Sequence, residues 1–194
     1  CVDVDYTGFF INSEKAMSLI ENQLSSQAIF DGRIIKVSVD TVTLPNGKTA
    51  TREVVRHPGA VAVLAVTEHD EVILVRQYRY ACGTELLEIP AGKLDIVGED
   101  PSHCAYRELA EETPYTAQSM RLIHTFFTAA GFCDEKMYLY VADGIVKNST
   151  VDADEDEFVE LVTMSREQVR LALNNNEVHD GKTLVALYHW LAQV

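Results

Sequence analysis

The sequence predicts an α+β fold in which a mixed β-sheet is covered by helices. Residues 26–67 contain short runs with apolar residues at every second position, which is typical of strands. Further apolar runs follow at 120–128, 136–143 and 158–164. Three segments with helical capping residues lie among these strands. Strands therefore alternate irregularly with helices, which favours a mixed sheet packed between them.

The strands can be assigned in chain order. IIKVSVDTVTL and ATREVVRH flank residues 45–47 (PNG), which supply turn chemistry. VAVLAVT and VILVRQY are β-branched runs separated by the polar residues 68–71, and we interpret them as a buried hairpin. MRLIHTFFT, KMYLYVAD and FVELVTM supply the later strands.

Three helices are predicted, two of them from their end signals and the third from its amphipathic pattern. Asp100 is a suitable N-cap and Pro101 suits the first helical position of SHCAYRELAEET, which ends before Pro114. Ser165 and Gln168 have the spacing of a capping box at the start of SREQVRLALNNN. GKTLVALYHWLAQV is a final amphipathic helix.

The composition and net charge of the chain exclude some classes of protein. A chain of 194 residues with 47% hydrophobic residues suits one domain, or one domain with a small appendage. The net charge of −14 argues against nucleic acid as a partner, because phosphate contacts need clustered Lys and Arg. No apolar run approaches the roughly 18 residues of a membrane span. The four cysteines lack zinc spacing, which indicates reduced thiols in a cytoplasmic protein.

Three glutamates share one face of the first helix. Glu108 and Glu112 are four residues apart and Glu111 follows Glu108 by three, so the three side chains lie on nearly the same face. Arg107 directly precedes Glu108 in the sequence. Two carboxylates about 5 Å apart at an effective dielectric near 20 repel by roughly 3 kcal/mol, so such a cluster favours bound cations. Oxygen ligands favour Mg²⁺ or Mn²⁺ over zinc. The alternative is a solvated acidic helix face.

The residues around this helix give a family resemblance. AGKLDIVGEDPSHCAYRELAEETPY resembles the Nudix box, G-x5-E-x7-R-E-U-x-E-E-x-G-U, in which U is apolar. The residues at its fixed positions are Gly92, Glu99, Arg107, Glu108, Leu109, Glu111, Glu112 and Tyr115. Two departures stand out, since six residues separate Gly92 from Glu99 and Pro114 replaces the later glycine. Proline cannot supply a left-handed C-cap, so the helix must end differently.

The resemblance implies an α/β/α sandwich and a metal site. In similar enzymes Glu108 and Glu112 would bind Mg²⁺, with Mn²⁺ as the alternative, and the carbonyl of Ala91 would join them. Glu111 would complete the site or hold its water molecules. The residues expected to support the loop and helix are Gly92, Glu99 and Arg107.

The resemblance also implies a substrate and a general base. FFTAAGFCDEKMYLYVA is similar to the stretch that follows the box in ADP-ribose pyrophosphatases, although Ala130 replaces their proline. By position, Arg79 would contact a phosphate and Glu135 the terminal ribose. The nucleoside contacts would be Arg52 and Glu53, and the general base Glu155 or Glu157.

These expectations define a Mg²⁺-dependent hydrolase that converts ADP-ribose and water into AMP and ribose 5-phosphate. Family likeness suggests that residues 26–58 form β-strands that cross to the partner of a homodimer, and that 59–194 form the hydrolase domain. Residues 1–25 would be an extension. Within it, 1–16 are expected to be non-native or dispensable, because Met17 begins a segment typical of a natural start.

The sequence also allows other substrates and other functions. GDP-mannose, another nucleotide sugar, or a flavin or nicotinamide dinucleotide could be cut at the same bond. A Nudix-like domain could bind ADP-ribose without hydrolysing it, although such domains usually lose box glutamates. An isomerase or a nucleotide-pool sanitising enzyme on the same fold are further alternatives.

Overall fold

A computed structural model describes residues 18–149 and 158–193, which form four β-sheets and three helices. The strands are β1 Asn22–Asp31, β2 Lys36–Thr43, β3 Thr49–Arg56, β4 Ala60–Ala65, β5 Glu71–Arg79, β6 Thr84–Glu88, β7 Ala91–Lys93, β8 Tyr115–Thr116, β9 Ser119–Phe127, β10 Lys136–Asp143, β11 Val146–Lys147 and β12 Val159–Ser165. The helices are α1 Pro101–Glu112, α2 Arg166–Asn174 and α3 Gly181–Ala192. No described helix is long and apolar enough to cross a membrane.

The central strand β4 is buried on both faces, and this makes the body of the molecule a sandwich. All six of its residues are buried. Because side chains alternate along a strand, Leu64 packs with Trp190 of α3 in one hydrophobic cluster. Val63 packs with Leu109 of α1 in the other cluster. The sheet order is β7-β4-β10-β9, with β4 parallel to β10 and the other pairs antiparallel. The mixed sheet covered by helices is therefore confirmed.

The hairpin expected from β4 and β5 is wrong beyond its turn. The turn forms, since Thr67 N donates to Glu71 O at 2.8 Å, and one bridge joins Val66 to Val72. The two strands then separate into different sheets, because β4 pairs with β7 and β10 while β5 pairs with β6 and β12. Both edges of each strand are thus occupied by partners that come later in the chain.

The N-terminal strands form a separate antiparallel sheet in the order β1-β2-β3, as expected of the β extension. Strand β1 begins before residue 26, where strands were expected, and all ten of its residues are exposed. Asp40 is buried in this sheet and accepts hydrogen bonds from the hydroxyls of Ser26 (2.6 Å) and Ser38 (2.9 Å). Backbone bonds of Val55 with residues 132 and 134 attach the sheet to the main body.

The helix ends agree with the local sequence signals. The Asp100 side chain accepts from the backbone N of Ser102, and Pro101 begins α1. The predicted absence of a left-handed C-cap is also confirmed, because Thr113 is extended (φ −141°) and its hydroxyl donates to Leu109 O. Both hydrogen bonds of the capping box form at the start of α2.

Candidate active site

A cavity of about 970 Å³ lies between α1, strand β7, the end of β5 and the first turn of α3. This volume is at the upper end of the range for sites that enclose small molecules. Its wall carries both acidic and basic side chains. The two groups come from different parts of the fold.

The first group is the acidic face of α1, which consists of Glu108, Glu111 and Glu112. Glu108 and Glu112 are only 8% and 7% exposed. The carboxylate of Glu112 accepts a hydrogen bond from the backbone N of Ala91 at 3.0 Å, which fixes α1 against β7. A Cβ atom on Gly92 would lie 1.8 Å from Cδ of Glu108, so only glycine leaves room for this carboxylate.

Arg107 joins the acidic face to the preceding loop. Its guanidinium donates to both carboxylate oxygens of Glu99 at 3.1 Å, to Glu108 at 2.7 Å and to Glu111 at 2.9 Å. The hydrogen bonds from Arg107 hold the pKa of Glu99 below its ordinary value, although burial acts in the opposite direction. The structure therefore places Glu99 and Arg107 where an ion pair supports the loop and the helix.

The extra residue of the loop is accommodated by a turn. Glu99 N donates to Ile96 O at 3.1 Å, and Gly98 adopts a positive φ of 84° that suits glycine. Asp95 and Ile96 both lie on the cavity wall. The longer loop thus borders the site and leaves α1 in place.

The donor chemistry of the acidic face fits a hard divalent cation. Its carboxylates supply only oxygen, which is the ligand atom that Mg²⁺ prefers. Within residues 18–149 and 158–193, however, no three acidic, histidine or cysteine side chains converge on one metal position. Arg107 and the Ala91 amide instead engage these carboxylates. The residues fit such a cation by type and by their place on one face of α1.

The second group, the Glu88 network, was not found by sequence reasoning. Glu88 is 1% exposed and accepts two hydrogen bonds from Arg79, from Nε at 2.6 Å and from Nη2 at 2.7 Å. Lys182 also donates to Glu88 and lies 3.1 Å from Asp180. Burial raises the pKa of Glu88, but the hydrogen bonds and charges of Arg79 and Lys182 outweigh it and hold the pKa below its ordinary value.

A signal for this network was present in the sequence. Glu88 is the one charged residue in the apolar run LLEIP. A carboxylate that is buried in such a run needs a partner. The sequence does not show which cations pair with it, because Lys182 lies 94 residues away.

The remaining candidate residues are divided between the cavity and the N-terminal sheet. Glu135 lies on the cavity wall and accepts a hydrogen bond from the Thr128 hydroxyl. Arg52 bonds Glu21 at 2.5 Å, and neither Arg52 nor Glu53 belongs to the wall of this cavity. The structure therefore brings Glu135, Arg79 and the acidic face together but leaves Arg52 and Glu53 apart from them. The two general-base candidates, Glu155 and Glu157, lie outside the described residues.

Comparisons with known proteins agree with this arrangement. The NUDIX domain model matches residues 55–187, and a nucleoside diphosphate sugar hydrolase N-terminal domain model matches 21–55. A relative from Bacillus methanolicus named methanol dehydrogenase activator is 44% identical over 87% of this chain and 91% of its own length. An ADP-ribose pyrophosphatase of Bacillus subtilis (strain 168) is 43% identical over 89% of this chain and 93% of its own length.

The fold also has a counterpart among solved structures. A crystal structure of an ADP compounds hydrolase superposes with a TM-score of 0.77 and covers 90% of this chain and 96% of its own. Its sequence identity of 22% makes this a likeness of fold alone. The family models and the identity to the curated relatives agree with the box residues around the cavity, and the chain belongs to the Nudix hydrolase family.

Proposed function

We propose that this protein hydrolyses the pyrophosphate bond of ADP-ribose, giving AMP and ribose 5-phosphate in a Mg²⁺-dependent reaction. The observation that carries the proposal is the pair of buried glutamates, Glu108 and Glu112, which face a nucleotide-sized cavity beside Gly92. The ADP-ribose pyrophosphatase relative and the match to the nucleoside diphosphate sugar hydrolase N-terminal model support this substrate class.

In this proposal the chain's residues bind and orient the diphosphate. Glu108 and Glu112 hold Mg²⁺ (or Mn²⁺) together with the Ala91 carbonyl, and Glu111 completes the site. The bound metal would neutralise the diphosphate and lower the pKa of an attacking water. Arg79 contacts a phosphate from the end of β5, since a guanidinium suits phosphate oxygens.

The proposal gives two further roles to other glutamates. Glu135 orients the terminal ribose from its place on the cavity wall, where its carboxylate already accepts a hydrogen bond. Glu155 or Glu157 takes the proton from the attacking water. A carboxylate can do this if it reaches within about 3 Å of that water.

We infer that the active unit is a homodimer joined through the N-terminal sheet. Strand β1 is exposed along its whole length, and it carries Leu24, Ile29 and Phe30 at more than half exposure. Arg52 and Glu53 lie away from the cavity of their own chain, so nucleoside contacts from them would reach the partner's site. Light scattering should give twice the 21.6 kDa mass of the chain, and a monomer that is fully active would contradict the arrangement.

A cytoplasmic location is part of the same proposal. The three cysteines within the described residues are free thiols, which suits a reducing compartment. Fractionation of cells should recover the hydrolase activity with the cytosolic proteins.

The decisive experiment measures AMP and ribose 5-phosphate release from ADP-ribose with Mg²⁺, beside GDP-mannose. Glu112→Gln removes a metal ligand and should reduce the rate at least about 100-fold, because a metal supplies several kcal/mol to the transition state. Glu68→Gln makes the same chemical change at an exposed turn, where its side chain is 88% exposed, and should leave the rate unchanged.

The outcomes separate the rival functions. Selective turnover of ADP-ribose that Glu112→Gln abolishes would establish the proposal. Hydrolysis of GDP-mannose alone would keep the chemistry and replace the substrate. Tight binding of ADP-ribose without hydrolysis would identify a binding module in which the altered loop has lost catalysis.

A further inference from the structure

Glu88 occupies an unusual position for a carboxylate, because it is buried at the end of β6 and receives donors from the paired strand β5 and from α3. Arg79 ends β5, and Lys182 belongs to the first turn of α3. Thr183 adds a second link, since its hydroxyl accepts from the backbone N of Ile89 at 2.8 Å. The C-terminal helix is therefore fixed to the strand end that carries Glu88.

Glu88 contacts Arg79 side-on, along one edge of the guanidinium. This geometry determines which N–H groups of the guanidinium remain for another partner. Nε and Nη2 both donate to Glu88, at 2.6 and 2.7 Å. Neither of these hydrogen bonds uses Nη1, so Glu88 leaves the two N–H groups of that nitrogen for another partner. Arg79 and Glu88 border the same cavity as Glu112. The hydrogen bonds to Glu88 raise the pKa of Arg79 most, and the charge of Glu112 contributes to the same shift.

We propose that Glu88 is a positioning residue that fixes Arg79 side-on, so that Nη1 faces the diphosphate of the substrate. Lys182 holds Glu88 in turn, and α3 thereby contributes to substrate binding. The planar guanidinium of arginine can serve two partners at once. One edge, Nε and Nη2, binds the Glu88 carboxylate, and Nη1 remains for the substrate. The inference rests on the proposed function, since it takes Arg79 as the phosphate contact.

A double-mutant cycle tests whether Glu88 acts through Arg79. Glu88→Gln should raise the KM for ADP-ribose about tenfold with kcat within about threefold, because the lost contact binds ground state and transition state alike. In an Arg79→Met background the same change should raise KM no further. Glu85→Gln is the matched control, because Glu85 is exposed on the same strand and lies outside the cavity wall.

Other outcomes would overturn the inference. An equal rise in KM in both backgrounds would show that Glu88 acts independently of Arg79, as an ion pair that only docks α3 would. An unchanged KM in Glu88→Gln would do the same. If Arg79→Met hydrolyses ADP-ribose with the wild-type KM, the inference fails while the proposed function survives.

Two further measurements cover the cases in which Glu88→Gln does not fold or the wild-type protein does not hydrolyse ADP-ribose. If Glu88→Gln does not fold, Lys182→Met replaces it, with an expected rise in KM of about threefold that disappears in the Arg79→Met background. If the wild-type protein does not hydrolyse ADP-ribose, the proposed function fails. The same cycle is then measured on the Kd of ADP with Mg²⁺ by calorimetry, where additive effects overturn the inference and non-additive effects support it.

Discussion

The two charged groups that border the cavity are built in opposite ways. On the acidic face, Arg107 donates to two carboxylates of the helix, Glu108 and Glu111, and also to Glu99 of the preceding loop. In the Glu88 network, one fully buried carboxylate is shared by two cations, and Asp180 balances the second of them. The acidic face therefore carries an excess of negative charge, whereas the Glu88 network is neutral in itself.

This difference in charge predicts different roles for the acidic face and the Glu88 network. A group of carboxylates that outnumbers its neighbouring cations would gain from a bound metal ion, so we expect a divalent cation to complete the acidic face. A buried carboxylate whose oxygens are all engaged is complete without one, and it stabilises the fold and holds its partners in place. Substitutions on the acidic face should therefore affect activity more than stability, and the reverse should hold for the loss of Glu88.

The largest effect is expected from removal of the Glu88 carboxylate. Glu88→Ala should lower the free energy of unfolding by roughly 3–5 kcal/mol, because the buried ammonium of Lys182 loses its main partner. Glu111→Ala on the acidic face should change it by less than about 1 kcal/mol, since Arg107 keeps Glu99 and Glu108. Urea unfolding measures both, and equal losses would remove the contrast between the acidic face and the Glu88 network.

A smaller effect, on activity, is expected at Gly92. In Gly92→Ala the new Cβ would overlap the Glu108 carboxyl group, which must swing away. The hydrolysis rate should fall about 10- to 100-fold, because Glu108 is a proposed metal ligand and a misplacement of about 1 Å in an active site can cost that much. The free energy of unfolding should change by only about 1 kcal/mol, since the end of a flexible side chain can move.

Gly131→Ala is the matched control for this change, because a Cβ at Gly131 meets nothing within 4 Å. A Gly92→Ala enzyme with the wild-type rate would show that the position of Glu108 is not critical. If Gly92→Ala unfolds and Gly131→Ala does not, the acidic face is as important for stability as the Glu88 network.

The sequence predicted the acidic face far better than the Glu88 network, and the reason is locality. The limits of α1 depend on Asp100, Pro101 and Pro114, which act within a turn of the helix ends. The shared face of Glu108 and Glu112 follows from helical periodicity alone. Such features need no knowledge of tertiary structure.

Two features that the sequence did not predict depend on pairing between distant parts of the chain. Strand β5 pairs with β12, some 80 residues later in the chain, and the turn between β4 and β5 gave no sign of it. Lys182 and Glu88 meet only because α3 docks against the end of β6.

The smallest effect is expected from the ion pair of Glu99 with Arg107, which links the loop to the acidic face. Since the pKa of Glu99 in the folded state lies below its ordinary value of 4.5, the pair stabilises the fold at neutral pH. This stabilisation is lost as the pH falls from 4.5 through the folded-state pKa. Glu99→Gln should cost about 1 kcal/mol at pH 7 and less in acid. Thermal unfolding of both proteins between pH 7 and pH 3 checks this, and a constant difference over that range would mean that the Glu99 charge contributes nothing to the stability of the loop.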